Sequence, residues 1–438
     1  MTGAPVETHG WGRFPAVAGD VIVSRDLREL RSAVHSGPVT PRGLGRSYGD
    51  SSLGQRMVDM TTFDSFIEFD DRAGSLTVEA GVSLLELLRV LVPRGWFLPV
   101  TPGTRFVTIG GAIASDVHGK NHHKDGTFSQ HVLSLELLVA SGEVLTVSRD
   151  LHPELFHATC GGMGLTGIIL RATFTLRRIS SRNVDETVIK APDLGAALAA
   201  FEENPDVTYS VAWIDLLARG KSLGRSLVML GEHADDGQLV VDTDSPAAGV
   251  PFTMPAALLN PLSVRTFNAA YYRRIRHPVV RHRVGFEPFF YPLDKVAEWN
   301  RLYGKQGLIQ YQLAIPLSSG ADVLREIVDR IAAAGLASPL AVLKLFGAAN
   351  ENHLSFPIEG YTLALDFKAT GAALRLADEL DHLVVDAGGR LYLTKDARMS
   401  EDTFRASYRR IEEFEAVRKE YGASGVFISE QSRRLGLA

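Results

Sequence analysis

The chain has 438 residues, of which 45% are hydrophobic and 22% charged, which is typical of a globular protein of two domains. Its formal net charge of −5 argues against general nucleic-acid binding, so we expect no nucleic-acid partner. The single cysteine, Cys160, excludes an internal disulfide and any zinc site built on cysteines.

The N-terminal segment gives no indication of secretion or membrane insertion. Met1–Gly19 lacks the apolar core of a signal peptide, and no uncharged stretch of the sequence reaches about 18 residues. We therefore expect a protein without a transmembrane segment, located in the cytoplasm or peripheral to a membrane.

Short strands alternate with glycine-rich turns in the first third of the chain. A helix is predicted from the capping box of Ser83 and Glu86 to Gly95, because leucines recur between them with helical spacing. The other elements predicted here are strands over Leu76–Ala80, Leu133–Ala140, Val144–Val147 and Ile168–Leu176, and a helix over His152–Thr159. A turn at Gly142 should join the second and third of these strands in a hairpin.

Three glycine-rich segments stand out, at residues 42–50, 102–114 and 161–167. Glycine allows a positive φ, and successive N–H groups can then form an anion-binding concavity. Three such segments in one domain indicate a pyrophosphate site rather than isolated turns. The third segment formally matches the dinucleotide-binding pattern Gly-x-Gly-x-x-Gly, but a strand follows it instead of preceding it, so that interpretation is rejected.

Three histidines, His118, His122 and His123, follow the second glycine segment. Metal binding by the first two would need a shared helix, and Gly119 and Asn121 argue against one. We expect no metal site. The triplet His118-Gly119-Lys120 is instead well placed to contact a redox cofactor.

The pattern changes after about residue 182. Amphipathic helices are predicted over Asp322–Ala334 and Leu374–Ala387, each followed by a strand, which indicates an antiparallel sheet covered on one side by helices. A further helix over Thr403–Val417 should pack back on the first domain. The basic stretch Arg265–Arg283 is either a solvated face or a flap that meets a phosphate or an anionic membrane surface.

Short motifs along nearly the whole chain carry a family resemblance. They are GLGRSYGD at 43–50, PGTR at 102–105, IGGAIA at 109–114, HGKNHH at 118–123, GLTGII at 164–169, Trp213, QYQ at 310–312, KLFG at 344–347, LSFP at 354–357 and LYLTKD at 391–396. Together they resemble the decaprenylphosphoryl-β-D-ribose 2-oxidase family of vanillyl-alcohol-oxidase-like flavoproteins. The similarity is weakest between about 183 and 285.

The resemblance implies an α+β, two-domain, PCMH-type flavoprotein, with an FAD domain at 1–181 and 390–438 around a substrate domain at 182–389 that is built on an antiparallel sheet. The implied reaction is oxidation of the ribose 2-hydroxyl of a polyprenyl-phosphate-linked ribose to the ketone. A separate NAD(P)H-dependent keto-reductase would then complete epimerisation to the arabinose donor of cell-wall glycans. Arg46 stands where covalent relatives often carry a flavin-linked histidine, so non-covalent FAD is expected.

The resemblance also implies roles for individual residues. The residues expected to contact FAD are Arg42, Gly43, Leu44, Gly45, Arg46, Ser47, Tyr48, Gly49, Asp50, Gly103, Thr108, Ile109, Gly110, Gly111, Ser115, Asp116, Val117, His118, Ile169 and Tyr392. Those expected to bind substrate are Trp213, Gln310, Gln312, Lys344, Phe346, Thr362, Ala364 and Lys395. The expected catalytic residues are Lys395, His118, Lys120 and Tyr48.

Three positions depart from the family pattern. Thr362 and Ala364 stand where the family has asparagine and cysteine, and Phe290 replaces an aromatic alcohol. In the family, that cysteine is the site at which nitroaromatic inhibitors attach. The departures leave open another sugar phosphate as substrate. Two rivals also remain, an alditol or aldonolactone oxidase of the same superfamily and a flavin-binding scaffold without turnover.

Overall fold

The computed structural model describes residues 5–240, 248–250, 252–255, 259–336 and 339–438. The strands of this part are β1 (Val6–His9), β2 (Ala16–Val23), β3 (Thr40–Arg42), β4 (Arg56–Asp59), β5 (Phe66–Asp70), β6 (Ser75–Glu79), β7 (Trp96–Phe97), β8 (Val132–Leu138), β9 (Val144–Val147), β10 (Ile168–Thr175), β11 (Arg177–Arg178), β12 (Asn183–Ala191), β13 (Tyr209–Ile214), β14 (Ser226–His233), β15 (Ala248–Gly249), β16 (Val279–Gly285), β17 (Val296–Ala297), β18 (Leu308–Pro316), β19 (Ala341–Phe346), β20 (Gly360–Lys368) and β21 (Arg390–Leu391).

The α-helices of the same part are α1 (Leu27–His35), α2 (Leu84–Leu91), α3 (Ile109–Ala114), α4 (His122–Asp125), α5 (Pro153–Thr159), α6 (Leu194–Glu202), α7 (Pro261–Arg273), α8 (Phe286–Phe290), α9 (Gly320–Ala334), α10 (Gly371–Asp386), α11 (Glu401–Ser407), α12 (Ile411–Glu420) and α13 (Glu430–Arg434). None of these helices is long and apolar enough to cross a bilayer, within the residues described.

The described residues of the first part form two small sheets and the two-stranded pair β7-β11. One has the order β1-β2-β4-β3, with β4 parallel to both β2 and β3. The other has the order β5-β6-β10-β8-β9 and is antiparallel throughout. Helices α2 and α3 bury leucine, isoleucine and alanine side chains in the hydrophobic core shared with the second sheet.

Local sequence signals account for several of these elements. Helix α2 begins with the predicted capping box, in which the Ser83 side chain accepts from the Glu86 N–H and the Glu86 carboxylate accepts from the Ser83 N–H. A short 3₁₀ turn extends the helix to Gly95, which has a φ of 76°. Strands β8 and β9 form the predicted hairpin, and Gly142 in its turn has a φ of 82°.

The second part of the chain forms a large antiparallel sheet with the order β16-β12-β14-β13-β19-β20-β18-β21 in the described residues. Helices α9 and α10 pack on one of its faces, as their amphipathic patterns predicted, and α6, which was not predicted, packs there too. The other face meets the first part of the chain and carries the residues of the site. Strand β21 is an edge strand of this sheet, so the chain leaves the sheet after Leu391. The domain limits at 181 and 389 stay a prediction.

The C-terminal helix predicted over Thr403–Val417 is wrong as a single element. It is divided into α11 and α12, because Tyr408 leaves the helical conformation (φ −108°, ψ 84°). The buried Tyr408 hydroxyl donates to the Leu391 carbonyl at 2.6 Å, which holds the chain at the break. Helix α11 then packs on α10, and α12 packs on α5 in the first part, as expected for a return to that part.

The basic stretch Arg265–Arg283 forms the end of α7, a short connection and most of β16. Helix α7 lies over the site-bearing face of the large sheet, where the Tyr271 ring centroid is 4.7 Å from that of Trp213. All six arginines of the stretch are exposed. The segment is therefore anchored through its aromatic residues and presents its charges to the surroundings, except that Arg283 pairs with Asp185 at 2.6 Å and with Asp236 at 3.1 Å.

Candidate active site

A cavity of about 410 Å³ lies between the first part of the chain and the large sheet. Loop residues 41–48, 102–111 and 163–169 contribute to its wall, as the three glycine segments predicted. The sheet contributes Gln310, Gln312, Val342, Lys344 and Ala364, and the C-terminal segment contributes Tyr392, Thr394 and Lys395. The cavity therefore joins segments that are far apart in sequence.

The first glycine loop presents unsatisfied backbone donors to this cavity. Within the part of the chain described, the N–H groups of Leu44–Ser47 donate to no protein acceptor. Gly45 has a φ of 62°, and a Cβ on Gly43 would lie 2.3 Å from Thr108 Oγ1, so both positions require glycine. Free N–H groups on a tight loop suit an anion such as a pyrophosphate.

The loop is held in place by its own charged and polar neighbours. The Arg42 guanidinium donates to the carbonyl of His9 at 2.9 Å and to that of Ser52 at 3.1 Å. The Arg46 guanidinium lies 4.1 Å from the Trp11 ring centroid and 5.3 Å from that of Phe106. Trp11 lines the cavity too, and no local signal in the sequence indicated this contact.

Most residues expected to contact the cofactor line the cavity. They are Arg42, Gly43, Leu44, Gly45, Arg46, Ser47, Tyr48, Gly103, Thr108, Gly110, Gly111, Ser115, Val117, His118, Ile169 and Tyr392. Four others do not, namely Gly49, Asp50, Ile109 and Asp116. Gly49 is crowded by the Asp396 carbonyl, Ile109 is core, and the Asp50 carboxylate pairs with Arg434 at 2.9 Å.

Asp116 connects loops rather than facing the cavity. Its buried carboxylate accepts hydrogen bonds from the Asn350 and Asn352 amides, the Ser355 hydroxyl and the Ser129 N–H, at 2.6 to 3.2 Å. These donors come from segments more than 200 residues away along the chain, apart from Ser129. Asp116 thus positions the segment that carries Ser115, Val117 and His118.

His118 and Gln312 form a buried pair on the cavity wall. Their Nε2 atoms are 3.0 Å apart, and because an amide nitrogen can only donate, the ring proton of a neutral His118 lies on Nδ1. Burial and the nearby Lys344 hold the pKa of His118 well below its usual value, so the ring is neutral. His118 Nδ1 is buried without a partner among the described residues, which leaves a donor for a ligand.

Two ammonium groups face the cavity without a protein counter-ion in contact. In the described part of the chain, Lys344 and Lys395 form no hydrogen bond from Nζ and no ion pair. Lys395 Nζ is 4.1 Å from the Tyr48 ring centroid. Burial lowers the pKa of Lys395 to about 8 and that of Lys344 to about 7, where the charges of Lys120 and Lys395 add to the effect.

Four of the residues expected at the substrate or in catalysis lie away from the cavity wall. Trp213 packs under Tyr271 and donates from Nε1 to the Pro339 carbonyl. Phe346 packs against the His118 ring, and Thr362 is fully buried and donates to the Leu313 carbonyl. Lys120 donates to the Phe289 carbonyl instead of projecting into the cavity.

The position of each residue on the site-bearing face of the large sheet explains these placements. Gln312, Ala364 and Val342 are cross-strand partners on β18, β20 and β19, so their side chains share one face and reach the cavity. Lys344 and Thr362 are the next pair on that face, and only the longer lysine side chain reaches the cavity. Trp213 is the cross-strand neighbour of Val342 but lies under α7.

Residues 293–299 form a further part of the wall that the sequence did not indicate. Leu293, Asp294, Val296, Ala297, Glu298 and Trp299 line the cavity. The Asp294 carboxylate accepts from the Arg105 N–H at 2.9 Å, which ties this segment to the second glycine loop. Phe290, just before it, is buried against Tyr209 and Phe97 and does not line the cavity.

Comparison with known proteins gives consistent matches. A family model described as an FAD binding domain matches residues 27–148. Decaprenylphosphoryl-β-D-ribose oxidase of Mycolicibacterium smegmatis is 38% identical over 98% of this chain and 97% of its own length. D-arabinono-1,4-lactone oxidase of Yarrowia lipolytica is 30% identical over only 33% of this chain and 28% of its own. Cytokinin dehydrogenase 2 of Arabidopsis thaliana is 30% identical over 40% of this chain and 37% of its own.

Proposed function

Because the chain belongs to the decaprenylphosphoryl-β-D-ribose oxidase family of FAD-dependent oxidoreductases with the vanillyl-alcohol-oxidase-like fold, we propose that it oxidises the 2-hydroxyl of a polyprenyl-phosphate-linked ribose to the ketone. The observation that carries this proposal is the pair of half-buried ammonium groups of Lys344 and Lys395, which have no ion-pair partner among the described residues and lie on the wall of the same cavity as the glycine loops. Such groups favour an anionic substrate over a neutral alditol or lactone.

The loops of the first part would hold FAD. The free N–H groups of Leu44–Ser47 suit its pyrophosphate, and the unpartnered Nδ1–H of His118 offers a further donor. When bound, FAD accepts the hydride that a secondary alcohol loses from carbon. The chain itself must position the hydroxyl and accommodate the proton that leaves its oxygen.

Lys395 is the residue that we assign to the reacting hydroxyl. It lines the cavity with Tyr48 and Gln310, and its lowered pKa makes both the ammonium and the neutral amine accessible near neutral pH. Lys344, which faces no carboxylate in the described part of the chain, is assigned to bind the negative charge of the substrate. The neutral His118, oriented by Gln312, donates without adding a third charge to the cavity.

Two partners belong to the proposal. A 2-keto sugar needs a hydride on its opposite face to complete epimerisation, which an NAD(P)H-dependent keto-reductase would supply. A lipid substrate also calls for contact with a membrane. The exposed arginines of the basic stretch, with exposed Phe267 and Val279 among them and exposed Leu262 just before them, suit an anionic bilayer surface. Because Trp213, under α7, neighbours the cavity-lining Val342, this surface lies beside the cavity.

The test is anaerobic reduction of the FAD-loaded protein. A short-chain polyprenylphosphoryl ribose should bleach the oxidised flavin absorbance, whereas the same lipid phosphate without ribose should not. Xylitol and D-arabinono-1,4-lactone serve as competing substrates. Reduction by either of these, with none by the lipid-linked ribose, would assign the chain to the alditol or aldonolactone chemistry instead. No reduction by any of them would indicate a flavin-binding scaffold.

A further inference from the structure

A buried carboxylate, Asp366, lies beside the cavity wall, on the same face of the large sheet as Ala364. It is on β20, its side chain is fully buried, and it does not itself line the cavity. Its cross-strand partner on β18 is Gln310, which does line the cavity. A buried carboxylate is costly unless it is paired and hydrogen-bonded, so the presence of Asp366 next to the site calls for a physical reason.

Two donors hold the carboxylate. Gln310 Nε2 donates to Asp366 Oδ1 at 2.7 Å, and the Tyr303 hydroxyl donates to Oδ2 at 3.3 Å. The side chain of Gln310 also lies beside the side chain of Tyr48, whose ring contacts Lys395. The carboxylate therefore fixes the orientation of the amide that stands between it and the cavity.

The titratable groups around Lys395 differ in the sign of their charge. The titratable groups that face it are Tyr48 from the first glycine loop, His118 from the loop after α3, Lys344 from β19 and Asp366 from β20. Of these, Asp366 carries the opposing negative charge. Two other lysines near the site, Lys120 and Lys344, differ from Lys395, because Glu186 opposes the charge of Lys120 and, among the residues that the structure describes, no carboxylate opposes that of Lys344.

We propose that Asp366 is a positioning residue for the oxidation, which holds the Gln310 amide and supplies the negative charge that keeps Lys395 an ammonium group. The inference rests on the proposed function for the role of Lys395. Burial raises the pKa of Asp366 to about 7 and lowers that of Lys395 to about 8, so both groups are mostly charged between these values. Above this window Lys395 loses its proton, and below it Asp366 gains one.

The variant Asp366→Asn tests the charge, because asparagine keeps the volume and the acceptor for Gln310. Trace acetylation of the FAD-loaded protein with acetic anhydride across pH, followed by peptide mass spectrometry, gives the titration midpoint of Lys395, since only the neutral amine reacts. We expect the midpoint to fall by about one pH unit or more in Asp366→Asn. The matched control is Glu186→Gln, which should move the midpoint of Lys120 and leave that of Lys395 in place.

An unchanged Lys395 midpoint in Asp366→Asn would overturn the inference. If Asp366→Asn loses FAD, Tyr303→Phe is used instead, because it removes one donor to the same carboxylate. A smaller fall of the Lys395 titration midpoint is then expected. An unchanged midpoint in this variant would contradict the proposal. The rate of flavin reduction by polyprenylphosphoryl ribose, measured over the same pH range, separates the two proposals. Failure of the wild-type protein to be reduced would remove the proposed function, whereas the titration of Lys395 is measured without substrate.

Discussion

At the scale of single residues, Lys395 allows the most direct test of the proposed chemistry. Its ammonium group faces the cavity without an acceptor among the described residues, so its removal should change reactivity more than stability. We expect Lys395→Ala to fold and bind FAD but to lose roughly a hundredfold or more in the rate of flavin reduction. Rapid mixing under anaerobic conditions measures this rate.

The control for that experiment is Lys419→Ala, because Lys419 is an exposed lysine on α12. The flavin of this variant should be reduced at the wild-type rate. A reduction rate in Lys395→Ala equal to that of the wild type would refute the assigned role. Loss of FAD from the variant would instead indicate that Lys395 contributes to cofactor binding.

Ala364 is a second residue with a sharp chemical consequence. It lines the cavity, but it has no nucleophile, and the single thiol, Cys160, is fully buried with a pKa held well above its usual value by desolvation. We therefore expect no adduct with a nitroaromatic compound after turnover of the natural sequence. Ala364→Cys should gain the mass of one adduct, measured on the intact protein.

Thr362→Cys is the matched control, because position 362 shares a sheet face with 364 but is fully buried. We expect no adduct on this variant. An adduct on the natural sequence would mean that a reagent reaches Cys160, contrary to its burial.

At the scale of elements, the basic stretch Arg265–Arg283 is tested as a membrane-binding surface. Arg273, Arg276 and Arg281 are exposed, and each cation contributes about 1 kcal/mol near an anionic bilayer. Co-sedimentation with liposomes that contain anionic lipid should decrease with added salt. Replacing these three arginines with alanine should weaken it further.

A second triple variant, Arg72→Ala, Lys419→Ala and Arg433→Ala, removes the same charge from exposed positions in other elements and should bind as the wild type does. Equal loss of binding in both triple variants would point to net charge rather than to this surface. Binding that salt does not change, or no binding at all, would favour the solvated face that the sequence also allowed.

At the scale of the whole molecule, the mode of cofactor attachment follows from how the cavity is assembled. Its wall combines loops of the first part, the large sheet and the C-terminal segment, and Arg46 on this wall has a guanidinium that cannot form a flavin bond. Unfolding should therefore release FAD completely. Acid precipitation should leave all flavin in the supernatant, and a protein mass increased by one FAD would contradict this.

The sequence by itself determined the elements that depend on neighbouring residues. The capping box of α2 and the positive φ of Gly45 and Gly142 are local requirements, so their residue types indicated the helix start and the turns directly. The same local chemistry predicted the loops that line the cavity. The motifs also indicated the family and its cofactor, which the comparisons confirm.

Only the tertiary structure decided which side chains reach the cavity. Thr362 and Ala364 share one face of β20 because side chains alternate along a strand. Yet Thr362 is buried and hydrogen-bonded to the Leu313 carbonyl, whereas Ala364 lines the cavity wall. The buried carboxylates of Asp116 and Asp366 accept hydrogen bonds from side chains of distant segments, and these partners distinguish them from exposed carboxylates. Tyr408 ends a helix because its hydroxyl meets the Leu391 carbonyl. Long-range partners of this kind leave no periodic signal in the sequence, because packing between elements creates them.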